Sequence, residues 1–293
     1  MDVLLEPLSY SFFTKGLLVA SLAGALLGFI GVFIVLRGMS YIGHGLSHSI
    51  FGGFAAVQLF AAQFYLIGAG LWGIASALAI TTVARRGRVG ADAAIGVITT
   101  ASFALGVALF AKFGTSGPSF ENALFGSILG ISNEQIIGLV AVTILTAAFV
   151  FLRYRALVFS TFDPDVANVS GVRVGRIEAM LMIVLSLAIL ATLTVIGVTL
   201  VAAMLVIPAV VARMLTDSFA RMLALSTAIG LCCGLVGMYV SYFAGVPSGT
   251  MIVLVGATVF VIVLAFTGGR GLSRSNGLDS QIDVPLLAPA ITK

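Results

Sequence analysis

Long apolar runs separated by short polar clusters are the dominant pattern of this sequence. Each run is close to the roughly 20 residues that an α-helix needs to cross the hydrocarbon core of a bilayer. The pattern therefore predicts an all-α, polytopic integral membrane protein with nine transmembrane helices, eight being the alternative count. The runs cover residues 14–36, 41–60, 62–83, 92–112, 135–152, 178–196, 197–214, 220–243 and 248–267.

The apolar stretch 178–214 is too long for one span, and its own residues offer a division. Gly197 can break the helix there, and Pro208 can kink the part that follows. Composition agrees with a membrane protein, because only 9% of the residues are charged, against about 25% in soluble globular proteins. A water-soluble fold is thereby excluded.

Clustered arginines predict the orientation of the spans. With nine spans, an outside N-terminus and a cytoplasmic C-terminus, every cluster falls on the cytoplasmic side, as the positive-inside rule requires. This pattern indicates topology and a lipid partner, not nucleic-acid binding. We expect a transmembrane domain at residues 1–267 and a polar, disordered cytoplasmic tail at 268–293. The clusters are Arg37; Arg85, Arg86 and Arg88; Arg153, Arg155, Arg173 and Arg176; Arg213 and Arg221; Arg270 and Arg274.

Two histidines, His44 and His48, are the strongest candidates for chemistry. Their spacing of four residues near the start of the second run places both imidazoles on one face of a helix. There they can share a metal ion such as zinc, although two nitrogens form an incomplete ligand shell. The alternative, equally compatible with the sequence, is a hydrogen-bonded packing pair near the cytoplasmic interface.

A short helix is predicted between the fifth and sixth runs, within residues 160–176. Asp163 can cap it, Pro164 suits its first turn, Asp165 favours its positive end and Gly171 can terminate it. So short a helix needs something packed against it. That contact is either its own protein or a cytoplasmic partner into which the helix docks.

Other polar and small residues have simpler interpretations. Asp92 is interpreted as an N-terminal helix cap, Glu121 as a vestibule or solvent-facing carboxylate in an outward loop, and Asp217 as a surface charge. Glycines four residues apart predict close helix packing, at Gly24 and Gly28, Gly126 and Gly130, and Gly230 and Gly234.

Motifs for nucleotide hydrolysis and for common enzyme chemistry do not occur in the chain. None of its lysines follows a glycine, so the GxxxxGK[ST] phosphate loop is missing, and neither HExxH nor CxxC occurs. The sequence therefore predicts a protein that is not an enzyme and that holds no permanent cofactor.

Several separated segments, in order, resemble the membrane-spanning permease of bacterial zinc and manganese ABC transporters. They are SYIGHGLSHSIFGG, ENALFGSILG, FDPDVANVSGVRVGR, IGVTLVAAMLVIPAVVAR and SYFAGVPSGTMIVLV. The resemblance extends from the N-terminal LLEPLSYSFF to about residue 267, which is nearly the whole chain. It implies a multi-pass protein of the bacterial cytoplasmic (inner) membrane.

The resemblance further implies a homodimer, separate cytoplasmic ATP-binding cassette subunits that hydrolyse ATP, and an extracytoplasmic protein that delivers the metal. It makes the short helix a coupling helix docking on the ATPase through Asp163, Pro164, Asp165, Ala167 and Gly171, and it places the transported ion at His44 and His48. The family usually has Asp where this chain has His44, and a nitrogen ligand shifts preference from Mn²⁺ toward Zn²⁺. Zinc is thus the first candidate cargo, manganese the second and iron a third.

Three other functions compete with this interpretation. A siderophore or cobalamin ABC permease shares the architecture, but its large substrates need no paired histidines. A proton-coupled metal transporter would need buried acidic relays or inverted repeats, which the sequence does not show. A membrane scaffold is the third alternative.

Relatives also often carry Ser and Leu at the positions of Ala202 and Met204, where we expect packing rather than metal ligation.

Overall fold

The secondary structure is helical throughout the described ranges. A computed structural model describes residues 5–58, 65–85, 89–113 and 130–278, and in these ranges it contains helices and no strand. A single 3₁₀ turn, Glu6–Ser9, precedes the first helix. The α-helices are α1 (Ser11–Leu36), α2 (Ile42–Gln58), α3 (Tyr65–Arg85), α4 (Ala91–Phe113), α5 (Asn133–Leu152), α6 (Tyr154–Phe162), α7 (Pro164–Val169), α8 (Val174–Ile196), α9 (Val198–Leu215), α10 (Phe219–Ala244) and α11 (Ser248–Leu278).

Each predicted apolar run coincides with one long helix of the described chain, which confirms the all-α class. Seven of these helices are long and apolar enough to cross a membrane by length and composition. The other two, α2 with 17 residues and α9 with 18, fall outside that set. Nine crossings and the orientation of the termini therefore stay predictions. Helix α11 continues to Leu278, past the predicted start of the polar tail, and residues 279–293 lie outside the described ranges.

The long apolar stretch divides at Gly197, as its sequence predicts. Gly197 has φ +87° and stands between the end of α8 and the start of α9. A residue with a Cβ is strained at that backbone angle, whereas glycine adopts it readily. Pro208 lies inside α9, which continues on both sides of it, and the kink at this position stays a prediction.

Helices α1 and α10 pack at backbone distance through glycines. A Cβ added to Gly24 would collide with the carbonyl oxygen of Gly230, and one added to Gly230 would collide with that of Gly24. The Ser226 hydroxyl donates to the Gly28 carbonyl oxygen at 2.5 Å. The predicted packing role of Gly24, Gly28, Gly230 and Gly234 is confirmed, while Gly126 lies outside the described residues.

This contact predicts a large difference in thermal stability between two glycine-to-alanine variants. Gly230→Ala is expected to destabilise the protein by about 1–3 kcal/mol, because the new methyl group overpacks the α1–α10 contact. Gly96→Ala, at a helical glycine where an added Cβ meets nothing within 4 Å, is the matched control. It should be neutral or slightly stabilising. Thermal unfolding of the two purified variants tests this, and equal melting temperatures would contradict it.

Helix α2 lies in the interior of the assembly and contacts α3, α4 and α9. Helix α1 contacts α9 and α10, and α8 contacts α3 and α5. The main hydrophobic cluster draws most of its buried residues from α1, α2, α8 and α9, including Phe33, Leu46, Leu185 and Leu205. The histidines on α2 are thereby carried into the centre of the helix assembly.

Candidate functional site

His44 and His48 lie side by side on one face of α2, as their spacing predicts. Their ring centroids are 4.5 Å apart, with an angle of 68° between the ring planes. Both side chains are half-buried. Two imidazoles at this separation are close enough to bind one ion, and part of each side chain is exposed.

Aromatic rings flank the pair at both ends. The Tyr41 ring centroid lies 5.3 Å from that of His44, and the Phe103 ring of α4 lies edge-on to His48, also at 5.3 Å. Helix α4 can come this close because Gly45 has no side chain. A Cβ at this position would lie only 2.9 Å from methyl groups of Ile95 and Thr99 on α4. The Phe103 ring therefore packs against the His48 ring.

The start of α9 lies against the same part of α2. The Ser47 hydroxyl is 2.9 Å from the His44 carbonyl oxygen and 3.4 Å from that of Val198, the first residue of α9. A Cβ on Gly43 would lie 3.5 Å from the Ala202 Cα. The break at Gly197 thus brings a helix N-terminus beside the histidines.

A polar network that the sequence did not indicate joins α2 to its neighbours one residue beyond His48. The Ser49 hydroxyl lies 2.6 Å from that of Ser76 on α3 and 2.7 Å from that of Ser102 on α4. The Trp72 indole N–H donates to the Ser102 hydroxyl at 2.5 Å. Buried hydrogen bonds of this kind fix the rotation of α2 about its own axis and thus the face that carries the histidines. The only sequence signal was serine within apolar runs.

The donor set of the site contains two residues in the described part of the chain. No group of three or more His, Cys, Asp or Glu side chains is assembled there. Met204 is buried, and its Cε packs against Gly24 of α1, which supports the packing interpretation of its thioether. An ion bound by the two imidazoles would need further ligands from water or from another chain.

The predicted helix between spans is present as α7. The Asp163 carboxylate accepts a hydrogen bond from the Val166 N–H at 2.9 Å, Pro164 opens the helix and Asp165 lies in its first turn. Ala167 is fully buried, and Gly171 has φ +83° just beyond the helix. The capping, the turn and the stop are confirmed. Docking on a partner stays a prediction.

A buried arginine that sequence reasoning used only for topology connects α6, the helix directly before α7, to three other helices. Arg37, at the end of α1, donates from Nη2 to the Ser160 hydroxyl at 2.9 Å and from Nε to the Thr161 hydroxyl at 3.2 Å. Its Nη1 is 3.5 Å from Glu178 Oε1 on α8, and Arg85 Nε of α3 is 3.9 Å from Glu178 Oε2. The sequence feature that could have indicated this junction is Glu178, a carboxylate at the start of an apolar run.

Burial sets the electrostatics of this junction. The Arg37 side chain is only 5% exposed. Burial lowers the pKa of Arg37 from its usual value, and the negative charge of Glu178 opposes that effect. A guanidinium stays protonated despite such a shift, so Arg37 is a buried charge held by one carboxylate and two hydroxyls. The junction therefore forms a rigid link between α6, α1, α3 and α8.

The remaining acidic candidates are placed as follows. Asp92 lies in the first turn of α4, and the Ala94 N–H donates to the Gly90 carbonyl oxygen, so Gly90 holds the cap position and the interpretation of Asp92 as the cap is wrong. The negative charge of Asp92 still lies near the positive end of the helix dipole, where it is favourable. Asp217 is exposed between α9 and α10. Glu121 lies outside the described residues.

Comparison with known proteins relates this architecture to transport. Residues 9–267 match the ABC 3 transport family. The chain is 37% identical over 267 residues to the manganese transport system membrane protein MntC of Halalkalibacterium halodurans, covering 91% of each chain. A probable iron transport system membrane protein of Haemophilus influenzae is 32% identical, over 91% of this chain and 97% of the relative.

A solved structure is similar over the same extent. PsaBC from Streptococcus pneumoniae in complex with Fab contains a chain with a TM-score of 0.80 and 28% identity to this one. The similarity covers 90% of this chain and 95% of that chain. Because the family match spans almost all the helices described above, the chain belongs to the ABC 3 transport family.

Proposed function

We propose that this protein is the membrane-spanning permease subunit of an ATP-driven importer of divalent transition metal ions. The observation that carries the proposal is the match of residues 9–267 to a family of transport proteins. The chain acts as a homodimer in the bacterial cytoplasmic membrane, with cytoplasmic ATPase subunits and an extracytoplasmic metal-binding protein. Family membership favours this ATP-driven reaction over proton-coupled transport and over a scaffold.

His44 and His48 hold the ion in transit. Two adjacent imidazoles at 4.5 Å in a half-buried setting supply donors for a borderline metal without enclosing it. A transport site has to release its ion, so an incomplete shell suits transport better than a closed tetrahedral cage. The second copy of the chain or water supplies the remaining ligands.

Two observations favour different metals as the cargo. Relatives of this chain are named for manganese or iron transport, which favours those ions as cargo. The imidazole of His44, where the resembling family usually has a carboxylate, favours zinc. We propose that the cargo is a first-row divalent metal and that His44 raises the transport of Zn²⁺ relative to Mn²⁺.

Substituting the family residue tests that proposal. In liposomes containing the permease, its ATPase and its binding protein, His44→Asp is expected to raise the Mn²⁺ to Zn²⁺ uptake ratio by roughly tenfold, because an oxygen ligand replaces a nitrogen. Tyr41→Phe is the matched control, since it retains the ring beside His44 and both imidazoles. An unchanged ratio in His44→Asp would show that the binding protein alone selects the metal.

The α7 segment couples the permease to ATP hydrolysis. Its helix is fixed by the Asp163 cap and the buried Ala167, yet Val166 and Val169 are exposed on the predicted cytoplasmic side. A rigid helix with uncovered apolar side chains is suited to a groove on a partner. Arg37 would carry displacements of α7, passed through the adjoining α6, to α1 and α8, because it contacts Ser160 of α6 and Glu178 of α8 at once.

A further inference from the structure

A cleft rich in arginine opens beside the coupling segment, separate from the histidine pair. It has a volume of about 390 Å³ and lies between the end of α5, the start of α6 and the start of α8. Arg153, Arg173 and Arg176 line it, together with Gly171, Ile177 and Met180. No acidic side chain is among its lining residues, so the cleft is strongly positive.

These arginines are free to bind an anion. All three are exposed, and none has a carboxylate within 4 Å in the described part of the chain, where the ion pairs are those of Glu178 with Arg37 and Arg85. Arg173 also immediately precedes α8, so the positive end of a 23-residue helix adds to the field. Three like charges around one cavity repel one another until an anion neutralises them.

The cleft lies where lipid headgroups are found. Arg153 directly follows α5 and Arg173 directly precedes α8, and both helices are candidate membrane spans. Beside the arginines, Leu152 is 82% exposed and Met180 is 41% exposed, and such side chains on a membrane helix face acyl chains. A charged cavity that continues into an apolar surface matches a molecule with an anionic head and a hydrocarbon tail.

We propose that this cleft binds the phosphate-bearing headgroup of an anionic phospholipid. Guanidinium groups bind phosphate oxygens in pairs of parallel hydrogen bonds, which a compact ammonium cannot do. Basic cavities between transmembrane helices are established sites for anionic headgroups. Because Gly171 is part of the lining, a bound headgroup would also contact the end of the coupling segment.

Lipid titration of the purified full-length permease, followed by native mass spectrometry, tests the proposal. The ligands are phosphatidylglycerol, phosphatidylcholine with the same acyl chains, and inorganic phosphate. The wild type is expected to bind phosphatidylglycerol in preference to the other two. The double variant Arg173→Gln and Arg176→Gln should bind it roughly tenfold more weakly, since each arginine near an anionic lipid contributes substantially to binding.

The control is Arg213→Gln with Arg221→Gln, which removes the same charge from exposed positions at the ends of α9 and α10. Phosphatidylglycerol binding in this control should equal that of the wild type. The variant Arg173→Lys with Arg176→Lys should recover part of the affinity, and it should elute like the wild type in size-exclusion chromatography. Equal loss in both glutamine pairs would overturn the proposal, because any surface charge would then suffice. Binding of inorganic phosphate as strong as that of phosphatidylglycerol would also overturn it, because the lipid tail would then contribute nothing. Loss of ATPase binding by Arg173→Gln with Arg176→Gln, with phosphatidylglycerol binding unchanged, would overturn it as well.

Discussion

Alanine in place of His48 is expected to reduce uptake of the transported metal by at least about 100-fold, since removing even a supporting partner of a metal ligand costs 10–100-fold. His48 contributes one of the two imidazoles that meet at 4.5 Å, and no third His, Cys, Asp or Glu of the described chain can replace it. Insertion and ATPase binding should be retained, because His48 is half-buried and distant in sequence from α7. Radiotracer uptake into proteoliposomes measures the effect.

Two further variants distinguish ligation from packing. His48→Phe retains a ring against Phe103 but has no metal-binding nitrogen, so it should fail to transport as completely as alanine does. Phe103→Leu leaves both imidazoles in place while removing the edge-on ring contact, and we expect it to retain most of the uptake. Near-normal transport by His48→Phe would show that the histidine is only a packing residue.

The sequence predicted the histidine pair because the information is local. Spacing along one helix determines that His44 and His48 share a face, whatever the helix packs against. The residues that pack around this part of α2 are not local: Phe103 and Ser102 come from α4, and Ser76 comes from α3. Their proximity depends on helix packing at Gly45 and Gly52, which no pattern within α2 contains.

The helix boundaries were predictable for a similar reason. Apolar runs and the special residues Gly197, Asp163 and Gly171 act through backbone chemistry that can be read position by position. The number of membrane crossings is harder to predict from the sequence, because α2 and α9 are shorter than a typical span. The position of such short helices in the bilayer depends on the neighbouring helices.

The Arg37 junction was missed because its meaning depends on a distant partner. Within the sequence Arg37 is one more cytoplasmic arginine, and the positive-inside rule accounts for it fully. In the structure it lies buried against Ser160, Thr161 and Glu178, which are more than 120 residues away. A charge so enclosed requires all its partners, so the end of α1 and the segment before α7 are held as one unit.

This rigid connection makes the exposed tip of α7 the point where a partner can act on the permease. Val169 is 91% exposed, while Ala167, two residues earlier, is fully buried against its own protein. We expect Val169→Asp and Val169→Lys each to weaken binding of the ATPase subunit by about 100-fold or more, because either charge would be buried without a partner in the docking groove. Affinity of the purified ATPase for the reconstituted permease measures the effect.

Using both signs of charge excludes an effect of the helix itself. Lysine at the end of a helix is favourable and aspartate unfavourable, so a loss caused by helix destabilisation would occur in the aspartate variant alone. Val169→Thr is the matched control, since it keeps the branched shape and adds no charge, and it should bind nearly as the wild type does. Because Val169 makes so little contact with its own chain, the thermal stability of all three variants should be unchanged. Wild-type ATPase affinity in both charged variants would contradict the docking of α7 and would place the ATPase contact elsewhere on this face.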